Sequence, residues 1–173
     1  MTRLFLLVLG LLLPACGGGN TATNGSTTPT GLNDRDALAK LDVELAKPLP
    51  DIWKDSTVAF IADPVTMCNG KDVEEQVKSE DTAQIEKAKA ALQDAGITVQ
   101  ESMDQATVVF SIRILANCAG GGRPLVTGDV SAMPGNGAVA AKSDLFEVPR
   151  FDAGKVTLAL LRNETLVERM KSK

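Results

Sequence analysis

Apolar residues fill the chain from Leu4 to Leu13 without a polar break, and they give way at Gly17 to a tract of Gly, Thr, Asn and Ser that runs to Gly31. Beyond that tract the pattern becomes that of a folded domain. Leu38, Leu41 and Leu45 fall at helical spacing behind a capping Asn33 or Asp34, and Pro48 and Pro50 end that helix. Ser56 to Ala62 predicts a strand, broken by Asp63-Pro64. The acidic stretch Asp72 to Glu80 fits a loop or one or two helical turns. From Thr82 to Ala95, Ile85, Ala88, Leu92 and Ala95 line one side of a helix, with Gly96 placed for a left-handed C-cap. Ile97 to Gln100 predicts a short strand and Ala106 to Leu115 a longer, central one.

The second half of the domain predicts strands throughout. Leu125 to Met133 alternates loosely, Pro134-Gly135-Asn136-Gly137 is a turn signature, and Ala138 to Lys142 returns. Val156 to Leu161 predicts a strand, with Asn163-Glu164 turning it into Thr165 to Met170. A C-terminal helix starting at Asn163 competes for that last segment. The expected fold is therefore α+β: a single mixed β-sheet, one or two covering helices and a strand-rich C-terminal half. Val58-Ala59-Phe60 opening the sheet, a helix leading into Gly96-Ile97-Thr98-Val99, and Ala106-Thr107-Val108-Val109 resuming it resemble the small periplasmic domains of the TolB amino-terminal and curli-secretion lipoprotein type. No functional residue carries over from that likeness.

The first apolar run is too short to cross a bilayer as a helix, which needs about 20 residues. It follows Arg3 and ends in Leu13-Pro14-Ala15-Cys16. That sequence resembles a bacterial lipobox, with Pro14 a departure from the more usual Ala, Ser or Thr. Leu13 suits an ordinary signal peptidase badly. The resemblance implies cleavage before Cys16 and a diacylglyceryl group joined to its sulfur as a thioether. Residues 1–15 are then a signal peptide, 16–31 the lipidated cysteine with a flexible tether spanning roughly 20 Å, and 32–173 a single α+β domain. Gly17, rather than an Asp, follows the modified cysteine, which favours the outer membrane, facing the periplasm, in a diderm host.

Charge narrows the partners. The chain carries −4, and losing Arg3 with the leader makes that −5. A net negative domain argues against nucleic acid. His is absent from all 173 residues, which removes His-based acid–base catalysis, His-activated nucleophiles and His-ligated metals. Acylation of Cys16 leaves Cys68 and Cys118 as an even pair in an oxidising compartment, where a disulfide is the default. If the first long strand and Ala106 to Leu115 are parallel neighbours, both cysteines lie just past the same sheet edge.

Candidate chemistry is sparse. Gly120-Gly121-Gly122-Arg123 fits a flexible crossover better than an anion nest, and Gly70-Lys71-Asp72 fails as a P-loop. Asp72, Glu74, Glu75, Glu80 and Asp81 lack the spacing of a calcium loop, so no metal or cofactor is expected. Asp63, at the carboxyl end of a strand where α/β ligands often bind, reads first as an Asx cap or turn residue beside Pro64, with ligand chemistry as its alternative. The leading expectation is a noncatalytic, lipid-anchored accessory protein that binds another envelope protein. A small-ligand binder or hydrolase using carboxylates near Asp63 is the alternative. A partner is expected at a sheet edge formed by Val156 to Leu161 or Thr165 to Met170. The adjoining loop is the other candidate, where Phe146 and Phe151 flank Val148-Pro149. Both rings packing inward is the competing expectation.

Overall fold

A computed structural model describes residues 34–118, 123–135 and 137–172. The lipobox, Cys16, the tether and Gly120 to Gly122 lie outside the described residues. Among those described, one mixed sheet carries helices on one face. Helix α1 (Asp34–Ala46) leads, by a 3-10 turn at Asp51–Asp55, into β1 (Thr57–Ala62) and the two-residue β2 (Val65–Thr66). Helix α2 (Lys71–Asp94) crosses to β3 (Thr98–Val99), and β4 (Val108–Asn117) and β5 (Leu125–Pro134) form the long hairpin. The short β6 (Ala141–Lys142) and β7 (Phe146–Glu147) precede α3 (Ala153–Leu160) and α4 (Glu164–Lys171). No described helix is long and apolar enough to cross a membrane.

The strand order is β3-β1-β4-β5-β6, with β2 added beside β4 and β7 beside β5. Strands β3, β1 and β4 are parallel, and β5 runs antiparallel to β4 from Val108↔Pro134 to Asn117↔Leu125. Period-two alternation splits β4 cleanly. Val108, Phe110, Ile112, Ile114 and Ala116 are fully buried beneath the helices, and Phe60 stacks on Phe110 across the parallel pair. Trp53 is buried with them, and its indole N–H donates to the Leu161 carbonyl at 2.6 Å.

Asp72 to Glu80 is helical, not loop: α2 is continuous because Val73 and Val77 extend the buried stripe of Ala88 and Leu92 one turn after another. The larger correction is at the C-terminus. Val156 to Leu161 is not a strand but most of α3, and Thr165 to Met170 lies in α4, so neither is a sheet edge. Helix α3 is buried almost all round, at Ala153, Val156, Thr157, Ala159 and Leu160, with Lys155 its exposed position, so its short sequence shows no polar stripe to read as a helical face. Asp152 caps it by accepting from the Lys155 amide at 3.0 Å, and Asn163 caps α4 by accepting from the Leu166 amide at 3.2 Å. Four helices therefore cover the sheet, where one or two were expected. The returning strand after the Gly135 turn shrinks to Ala141–Lys142.

Cys68 and Cys118 are disulfide-bonded, with Cα atoms 5.2 Å apart. They follow β2 and β4, neighbours that run parallel, as the shared-edge argument requires. Closing a loop of this length stabilises the fold by about 4 kcal/mol on the chain-entropy model.

Candidate functional site

Three places bring polar side chains together. The first surrounds Asp63. Its backbone amide donates to the Ile112 carbonyl at 2.9 Å, extending the β1–β4 ladder, and its side chain stands exposed beyond the strand. Asp81, on the inner face of α2, is only 5% exposed, and its Oδ1 has no hydrogen-bond partner. Burial first, and the charge of Asp63 second, push the Asp81 carboxyl up to about 6. Sequence spacing put Asp81 in a solvated acidic run. Its burial follows from the helical period, which sets it four residues after Val77 and three before Gln84, both buried. No group of three or more acidic, cysteine or histidine ligands gathers among the described residues.

The second place is a groove of about 260 Å³ between α1, α3 and the segment from Lys142 to Phe146. Leu41, Phe146, Val156 and Leu160 supply its apolar lining. Lys40 reaches across to Asp144 at 3.7 Å. Phe146 and Phe151 do not project from a loop as partner contacts: each is 3% exposed, and their ring centroids lie 6.2 Å apart inside the core. The missing side chain of Gly128 makes this possible, since a Cβ there would stand 2.4 Å from Cδ1 of the Phe151 ring. Phe146 keeps one link to a site, as part of the groove wall.

The third is the sheet face turned away from the helices. Ala59, Ala106 and Val109 form a small buried cluster there with Ile61 and Met133, separate from the main core. Further along the same face, opposite Arg113 in register, Asp129 is 2% exposed. Its Oδ2 accepts from Arg113 Nη2 at 2.5 Å and lies 3.3 Å from Lys142 Nζ. Ser111 and Ser131 pair directly across the strands between the apolar cluster and this charged trio. Sequence reasoning missed the trio, because its members come from three strands whose register no local pattern reveals.

No family model matches this chain, and no curated protein matches it. Among solved structures it is similar to a PelC dodecamer from Paraburkholderia phytofirmans, at 18% identity over 69% of this chain and 90% of that one, with a TM-score of 0.34. It is also similar to a neuraminyllactose-binding hemagglutinin homolog from Helicobacter pylori, at 9% identity over 74% and 98%, with a TM-score of 0.41. At these scores neither likeness bears on what this chain does.

Proposed function

We propose that the chain is a noncatalytic, lipid-anchored accessory protein of the cell envelope that binds another envelope protein through the helix-free face of its sheet. One observation carries the binding face. Parallel strands are ordinarily covered on both sides, yet β3, β1 and β4 have helices on one side only among the described residues. On the other side an apolar cluster lies beside Arg113, Asp129 and Lys142. A partner seated there covers the half-buried Ile61 and Met133 at the apolar end and meets charges of both signs, which fix its orientation. The anchor rests on Cys16 and its lipobox, and the outer-membrane, periplasm-facing location on Gly17.

Two variants test the reading separately. Cys16→Ala should abolish acyl labelling; a wild-type chain that partitions into the aqueous phase without label would remove the anchor. Ile61→Glu should reduce capture of the crosslinked envelope partner at least tenfold while leaving acyl labelling intact. Undiminished capture would remove the face. One observation favours a second reading, ligand binding or hydrolysis near Asp63: a carboxyl raised to about 6 by burial and by the charge of another carboxylate is a pairing that acid–base chemistry uses. Turnover that disappears in both Asp63→Asn and Asp81→Asn would favour it over the first.

A further inference from the structure

The groove over Phe146 has a chemistry of its own, independent of the sheet face. Its apolar lining comes from α1, β7 and α3, three separated segments that pack together without filling the space between them. Its charged residues are already neutralised in pairs. Lys40 meets Asp144 at 3.7 Å and Glu44 meets Lys47 at 2.7 Å, while the Lys142 ammonium is turned to Asp129 on the other face of the sheet. An ionic occupant would have to break one of these pairs or be desolvated without a partner, so the rim selects against net charge.

Its polar residues add a direction. The Ser143 Oγ accepts from the Val130 amide at 2.8 Å, so the hydroxyl hydrogen remains to be donated. The Asn163 Oδ1 accepts from the Leu166 amide, which turns the carbonyl side of its amide to the α4 cap and leaves the NH₂ as the group to be donated. Both side chains line the groove, and both offer it donors. The volume is below that of sites for drug-sized molecules, which begin at about 300 Å³.

We infer that this groove binds a small uncharged amphiphile. Its aliphatic chain of about six carbons packs on Leu41, Phe146, Val156 and Leu160, and its acceptor oxygen takes hydrogen bonds from Ser143 and Asn163.

The test uses the full mature chain, methyl-labelled at Leu and Val, in bilayer nanodiscs, titrated with N,N-dimethylhexanamide at known free concentration. This probe has an acceptor oxygen and no donor. Saturable shifts of the Leu41, Val156 and Leu160 methyls are expected, with a dissociation constant of about 1 mM or tighter for a ligand of this size. Hexanoate and hexylammonium should bind at least tenfold more weakly. Ala159→Met, which fills the groove, should abolish the shifts. Asn163→Asp keeps the helix cap but replaces the donor with a carboxylate, and should weaken the amide at least fivefold. Absence of saturable shifts in the wild type would overturn the inference. So would equal binding of the charged analogues, or Asn163→Asp binding as the wild type does.

Discussion

Asp81 is a buried carboxylate with no donor for Oδ1. Its folded value of about 6 lies above the ordinary 3.8. The stability that its protonated form contributes is therefore fully present below about pH 3.8 and lost as pH rises through 6. At about 1.4 kcal/mol per tenfold change in proton affinity, ionised Asp81 costs the fold of order 2–3 kcal/mol at pH 7. Asp81→Asn should therefore melt higher than the wild type at pH 7.5, and the gap should close toward pH 4. Parallel melting profiles across that range would contradict the assignment. Gly128 carries the opposite kind of constraint. A methyl group there collides with the Phe151 ring, so Gly128→Ala should destabilise by about 1–3 kcal/mol in urea unfolding. Adding Phe151→Leu should recover part of that loss if the clash is its cause.

At the scale of elements, α2 and α3 hold the helical layer together through one buried side chain. The Gln84 amide donates to the Phe151 carbonyl at 3.0 Å, and its oxygen accepts from the Ala153 amide at 2.9 Å, satisfying the backbone where α3 begins. Gln84→Leu leaves both backbone groups buried and unpaired. It should cost about 2–4 kcal/mol, seen as a lower urea midpoint with unchanged slope. This junction also marks where the sequence pattern stops being informative. Helix α1, β1, β4, β5 and the Gly96 cap show a face, an alternation or a glycine that local physics reads directly. Helix α3 is enclosed by α1, α2 and β5, so most of its positions other than Lys155 are buried, and β-branched Val156 and Thr157 tilt so short a segment toward strand. Tertiary enclosure decides it, supported by a cap at Asp152 that resembles any other loop aspartate. Asn163 carried the same capping signal for α4.

For the whole molecule, the disulfide pair and the α+β class were legible because they depend on element order and on each cysteine standing just past the end of a parallel strand. The faces were not. Which side of the sheet the helices take, and which residues gather on the other, follow from the Arg113↔Asp129 and Ser111↔Ser131 register. Asp81, Phe146 and Phe151 changed meaning for the same reason, once burial was set by elements distant in the chain. The helix-free face is the surface proposed to meet a protein partner in the envelope. The most direct measurement is photo-crosslinking in intact cells with a photoreactive residue at Ser111 or Ser131 on that face, compared with Glu86 and Lys155 on the exposed side of the helices. One discrete adduct is expected from the two sheet positions, none from the helical pair, and loss of the adduct in the Ile61→Glu background. Adducts arising only from Glu86 and Lys155, or sheet adducts that persist in that background, would contradict it.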